Sequence, residues 1–180
     1  MTFDFQPTLK GPTLLLNPLG ADDLDALHAA ASDPAIWALH PEPTRWRRQV
    51  FERGFFASAL ASRSAFTVRT RSSGEVIGSS RYYAHVPNLR TVFVGYTFLC
   101  RAFWGGGANA ELKALMLDHA FRFVDAVCFH IGPDNLRARR SIEKLGGALV
   151  GDDDVVREGR TQQRLVYRIT RPAGEGRPED

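Results

Sequence analysis

Apolar positions along this chain recur at two periods, and the switches between them mark out its elements. Thr13–Leu19 is a short apolar run that reads as a strand. In Ala21–Ser32 the apolar residues Leu24, Leu27 and Ala31 fall at spacings of three and four, a helical pattern stopped by Asp33-Pro34. Ile36–Pro43 reads as a loop carrying His40 and Glu42. Thr44 then caps a second helix to about Ser62, with Val50, Phe51, Phe55 and Leu60 on one side. Ala65–Thr70 and Val76–Tyr83 form a hairpin around Ser72-Ser73-Gly74, and after the loop Ala84–Arg90 a third strand follows over Thr91–Leu99.

The pattern then changes. Phe103-Trp104-Gly105-Gly106-Gly107-Ala108-Asn109 opens into a helix over Ala110–Val124, with Leu112, Leu115, Met116, His119 and Phe123 in register. Val127–Ile131 is a buried strand broken by Gly132-Pro133. Asp134 or Asn135 caps a helix to about Leu145, which Gly146-Gly147 ends. Ala148–Val156 and Gln163–Ile169 form a last hairpin around Glu158-Gly159. The order β-α-α-β-β-β-α-β-α-β-β, a meander feeding a βαβ unit, predicts an α/β (α+β) fold with a mixed, mostly antiparallel sheet flanked by helices.

Composition narrows this without changing it. The chain has 180 residues, 44% of them apolar and 24% charged, which suits one globular domain over 1–170 and excludes wholesale disorder. The segment 171–180 holds no apolar anchor beyond Ala173 and is expected to be a disordered tail. Two cysteines, Cys100 and Cys128, are too few for a disulfide scaffold and read as reduced thiols. No apolar run approaches the ~20 residues of a membrane helix, and the N-terminus has no basic and apolar leader pattern, so a cytoplasmic protein is expected. A net charge of +3 is too small to argue for nucleic acid, and no residue grouping suggests a metal.

A strand that ends in three glycines and opens into a helix is suited to phosphate. The first amides of a helix lack internal partners, the dipole is positive there, and glycine lets the backbone approach closely. A pyrophosphate against Gly105–Asn109 is the functional reading, and a plain strand-to-helix turn the bland one. No Gly-Lys-Ser/Thr follows, which excludes the nucleotide P-loop. Gly105, Gly107 and Ala110 match the dinucleotide pattern G-x-G-x-x-G/A formally, but too little chain follows for a doubly wound sheet.

The run Trp104-Gly105-Gly106-Gly107-Ala108-Asn109-Ala110-Glu111 resembles the cofactor loop of the GCN5-related N-acetyltransferases (GNAT), above all their Rim-type, ribosomal-protein N-acetyltransferase-like branch. Asn135, Ala138, Arg140, Glu143, Lys144 and Gly146 resemble that branch's N-x-x-S-x-R-x-x-E-K-x-G helix, and the likeness runs from about Thr13 to Ile169. It implies an N-acyltransferase moving an acetyl group from acetyl-CoA to an amine by direct attack. The acceptor would be a small molecule, an amino acid or a protein N-terminus, and the protein a monomer or homodimer with no membrane partner. Phe98 and Leu99 would hold the pantetheine arm through their main chain. Gly105, Gly106, Gly107, Ala108 and Asn109 would take the pyrophosphate, with Asn135 and Arg140 (or Arg139) as further cofactor contacts. A non-catalytic acyl-CoA-binding module of the same fold is the alternative.

Three positions depart from the family pattern. Ile142 stands where many members carry a thiolate-protonating tyrosine, Phe93 where the branch often has a glutamate, and Ala138 where it has serine. The catalytic candidates are therefore Ser141 as acid, and His130 or Glu42 (with His40 beside it) as base. Trp37, Trp46, Tyr82, Tyr83 and Tyr96 are candidate walls of the acceptor site, with plain core packing as the bland reading.

Overall fold

The computed structural model describes residues 2–157 and 160–172. The strands are β1 (Leu9–Lys10), β2 (Leu14–Pro18), β3 (Ala65–Thr70), β4 (Val76–Val86), β5 (Thr91–Leu99), β6 (Ala126–Ile131), β7 (Ala148–Arg157) and β8 (Arg160–Thr170). The helices are α1 (Leu24–Ala31), α2 (Arg48–Val50), α3 (Ala57–Ser62), α4 (Ala108–Ala120) and α5 (Leu136–Lys144). The strands bond in the order β1-β2-β3-β4-β5-β6-β8-β7. All described pairings are antiparallel except β5 with β6. The expected mixed, mostly antiparallel sheet with helices in its connections is therefore observed.

Several boundaries differ from the sequence reading. The second helix begins at Arg48 rather than Thr44, and Phe51–Phe56 between α2 and α3 is a π-helix. Its wider turn carries one extra residue, so the buried side passes through Phe51, Phe55, Phe56 and Ala59, and Leu60 is turned out to 37% exposure. β4 continues past Tyr83 to Val86, through the segment read as loop. α4 starts at Ala108, before the expected Ala110. The expected turn at Glu158-Gly159 and most of the expected tail lie outside the described residues. Arg171, the first residue of that tail, is held: its amide and guanidinium both bond Asp125, and Nη1 donates to the Phe121 carbonyl.

The chain divides into two compact units. The first takes residues 2–82 and 96–116 and carries β1 to β3, α1 to α3 and the start of α4. Its core is aromatic: Phe51 stacks on Phe55 at 5.2 Å, and Trp37 and Phe98 close around them at 5.3 Å from each other. The second takes residues 83–95 and the chain from 117 on. Its buried side chains include Val92, Val94, Val127, Phe129, Ile131, Tyr167 and Ile169, the inward positions of β5, β6 and β8. The parallel ladder of β5 with β6 is short, Thr91 to Phe93 against Ala126 to Cys128, whereas β6 pairs β8 over its whole length to Ile131.

Candidate functional site

In the first unit, β5 ends where the chain turns towards α4. The Cys100 amide donates to the Ile77 carbonyl at 2.7 Å, a 3-10 turn follows over Arg101–Phe103, and the Trp104 indole reaches back to the Leu99 carbonyl at 3.0 Å. Phe98 and Leu99 sit at this strand end with buried side chains. Gly78 on β4 lies against them: a Cβ there would stand 2.1 Å from the Phe98 carbonyl oxygen, so only glycine fits.

Gly105 has φ +75, the left-handed region that glycine enters without cost. A Cβ added at Gly105, Gly106 or Gly107 would meet nothing within 4 Å, so the loop is open on the side where side chains would stand. It leads into α4, 13 residues long and hence with a fully developed dipole at its N-terminus. Ala108 and Asn109 form the first turn. Glu111 secures that turn. Its carboxylate accepts the amides of Thr13 and Leu14 at 2.8 Å each and the Thr13 hydroxyl at 2.5 Å. Burial raises the Glu111 pKa, but the Thr13 and Leu14 bonds outweigh it and hold the carboxyl below its ordinary value.

Further along α4, Lys113 is 5% exposed and donates to the Thr97 hydroxyl at 2.7 Å, which lies 2.8 Å from the Ser80 hydroxyl. Burial pushes its ammonium down to about 7. Beside Thr97, Tyr96 takes φ +53 and carries the Arg81 guanidinium 3.3 Å above its ring. Neither Lys113 nor Arg81 is marked by any local motif.

Glu42 accepts from both the amide and the hydroxyl of Thr44, and these bonds keep its carboxyl below the usual range, a weak proton acceptor. The Glu42 amide in turn donates to Nδ1 of His40. Cys100 donates its thiol to the Ala30 carbonyl, and burial pushes it up, as an inert thiol should be.

In the second unit Asn135 is the cap of α5, its side chain accepting the Ala138 amide at 3.1 Å. Arg139 donates to the Tyr167 hydroxyl at 3.0 Å and to the Pro133 carbonyl at 3.1 Å, while Arg140 is exposed. Ser141 is half-buried, and Ile142 is buried where Gly147 folds over it: a Cβ at Gly147 would stand 2.4 Å from the Ile142 side chain. His130 near the end of β6 is the most engaged candidate. Tyr83 lies 3.1 Å from its Nδ1, Asp153 lies 3.1 Å from its Nε2, and Phe93 stacks on its ring at 4.3 Å. Each unit therefore holds a share of the expected site residues.

A family model described as an acetyltransferase (GNAT) domain matches residues 13–148. The chain belongs to the GNAT acetyltransferase family. Solved GNAT structures share its fold. A GCN5-related N-acetyltransferase from Brucella melitensis is 21% identical with a TM-score of 0.83, over 94% of this chain and 80% of that one. RimJ from Mycobacterium smegmatis, solved with CoA-disulfide, is 19% identical with a TM-score of 0.68, over 91% and 87%. It is consistent with the Rim-type resemblance. Spermidine N-acetyltransferase from Vibrio cholerae, in complex with CoA and spermine, is 18% identical with a TM-score of 0.67, over 89% and 96%. No curated protein matches the sequence. Among the described residues of this GNAT chain no helix is long and apolar enough to cross a membrane, and no side-chain cluster could hold a metal ion.

Proposed function

We propose that the chain transfers an acetyl group from acetyl-CoA to an amine, with the pyrophosphate of the CoA seated on Gly105–Asn109. The observation that carries this is the loop itself. A left-handed Gly105, two glycines with open flanks and the N-terminus of a long helix leave the backbone amides accessible to an anion. The main chain of Phe98 and Leu99 would hold the pantetheine arm, and an amide of that strand end would donate to the oxyanion of the tetrahedral intermediate. Asn135 and Arg140 are the proposed outer contacts to CoA, the exposed Arg140 better placed for a phosphate than Arg139, which is bound to Tyr167. The acceptor is an amine, on a small molecule or at a protein N-terminus.

Calorimetric titration of the purified chain with acetyl-CoA, NADH serving as control, tests the reading together with Gly107→Glu. Gly107 has open space around its Cβ position, so the new side chain fits the fold and reports its charge alone. A carboxylate about 5 Å from the phosphates costs on the order of 3 kcal/mol at an effective dielectric of ~20, so affinity should fall ~100-fold. Unchanged affinity would overturn the phosphate loop. Binding without CoA release on any amine would leave a non-catalytic acyl-CoA module.

A further inference from the structure

Ile142 and Phe93 stand where the sequence resemblance calls for a tyrosine and a glutamate, and neither side chain has a titratable proton. Ile142 is buried at 3% exposure. Phe93 lies face to face with the His130 ring, 4.3 Å between centroids and 27° between planes. That contact fixes the plane of the imidazole, and both ring nitrogens are then engaged by polar groups of the same unit.

The protonation pattern of this cluster follows from donor and acceptor inventory. A carboxylate only accepts, so Asp153, 3.1 Å from Nε2, places the proton of a neutral imidazole on that nitrogen. Nδ1 is then a bare lone pair, and the Tyr83 hydroxyl 3.1 Å away donates to it. The chain of bonds therefore runs in one direction, from the phenol to the imidazole to the carboxylate. The His130 side chain is 9% exposed and Asp153 is 55% exposed, so the carboxylate end meets water while the imidazole is shielded.

Two backbone features hold the cluster in place. β8 lies between β6 and β7, with Val166 opposite both His130 and Gly151. A bulge between Leu149 and Gly151 adds one residue to β7, and this puts Asp153 opposite Arg164. Without the bulge Asp152 would take that place, so the extra residue selects which of the consecutive aspartates reaches His130. At the other end the Tyr83 ring lies on Gly95, where a Cβ would stand 2.9 Å from Cε1 and 3.4 Å from the hydroxyl oxygen. Gly95 is on β5, the strand whose far end carries Phe98 and Leu99.

We infer that Tyr83, His130 and Asp153 form a proton relay for acetyl transfer, with Tyr83 as the catalytic residue at its substrate end and His130 and Asp153 as positioning residues behind it. The inference rests on the acetyltransferase reading above. An ammonium acceptor gives one proton to the Tyr83 oxygen as that oxygen passes its own to Nδ1 of His130. The nitrogen lone pair so exposed forms the C–N bond at the thioester carbonyl, and the C–S bond breaks. The second nitrogen proton leaves with the sulfur as CoA thiol. The imidazolium, stabilised by Asp153, returns the first proton to water. The products are the amide, CoA and one proton.

The experiment uses the full chain, acetyl-CoA and three probes: spermine, lysine ethyl ester and a tripeptide with a free serine N-terminus. CoA release is followed for the wild type and for Tyr83→Phe, His130→Gln, Asp153→Asn and the double variant Tyr83→Phe/His130→Gln. Loss of a general base lowers kcat on the order of 100-fold or more, so Tyr83→Phe and His130→Gln should each do so with KM for acetyl-CoA unchanged. Asp153→Asn should lose roughly tenfold, and the double variant should be no slower than either single one, as for groups acting as a unit. Nitrogen NMR of the labelled imidazole gives a reading that needs no acceptor: His130 should carry its proton on Nε2. A proton on Nδ1 overturns the relay whatever the substrate. Wild-type kcat in Tyr83→Phe overturns the relay and leaves acetyl transfer standing. Acetyl-CoA binding with no CoA release by the wild type on any probe overturns the acetyltransferase reading, and the relay as a catalytic device falls with it.

Discussion

Glu111 joins two stretches of chain that no sequence motif connects. Its carboxylate takes three donors from Thr13 and Leu14, and a Cβ at Gly11 would stand 2.3 Å from its Oε1, so the segment before β2 is wrapped closely around it. Hydrogen bonds to a charged group contribute a net ~1.5–3 kcal/mol each, and several on one carboxylate do not add in full. Glu111→Ala should therefore lower unfolding stability by roughly 2–4 kcal/mol and weaken acetyl-CoA binding through the loop that α4 carries. Glu111→Gln can still accept the two amides and should cost much less. The net lowering of its pKa below the ordinary 4.5 means that the folded state holds the ionised form. That stability is present above 4.5 and is lost as the pH falls through the lower folded value. Denaturant titrations across pH 2–6 should show the acid limb flattened in Glu111→Gln. At this scale the sequence is legible where the chemistry is contiguous. Gly105–Gly107 and Asn135 stand where their spacing places them, because a loop and a helix cap are built from neighbours. Tyr83 and Asp153 carry no such signal, since only strand register brings them to His130.

Among the elements, α4 was legible over Ala110–Ala120 from apolar residues at helical spacing, although it stops at Ala120 rather than Val124, and the sequence gives no hint that Lys113 is buried on it. A lysine at that position reads as an exposed charge, yet it is buried and donates to Thr97 of β5, a contact that sequence spacing does not announce. Because burial lowers its pKa from 10.5 to about 7, the unfolded chain binds more protons between those values. Stability attributable to this residue therefore rises with pH from about 7 to 10.5, the same sign as at Glu111 but in a higher window. Lys113→Met removes the desolvation cost while keeping the volume, and Thr97 retains Ser80 as a partner. The variant should melt above the wild type at pH 7, and the gap should narrow at pH 10; a wild type more stable at both would refute this. The second helix is less legible. Its π-turn is set by packing of Phe51, Phe55 and Phe56 against Trp37 and Phe98, and residues distant in sequence supply that packing.

At the scale of the whole molecule, the mixed sheet was legible because hairpins pair antiparallel and the one βαβ crossover forces a parallel pair, whereas the place of β8 between β6 and β7 was not. The register of β7 was not, since the bulge before Gly151 leaves no composition signature. The C-terminal end shows the same limit. Arg171 lacks apolar company in sequence, yet it and Arg90 share the two carboxylate oxygens of Asp125. Ending the chain at Thr170 should lower the unfolding midpoint by an amount equivalent to about 1–3 kcal/mol, as for a lost bonded charge, and Arg171→Ala should reproduce most of it. The closeness of Tyr83 to Gly95 also bears on inheritance. Gly95 has no functional group, but any side chain there claims the space that the phenol ring fills. The two positions are therefore coupled. A lineage that gained alanine at 95 would push the Tyr83 ring off its place, and with it the hydroxyl that reaches His130.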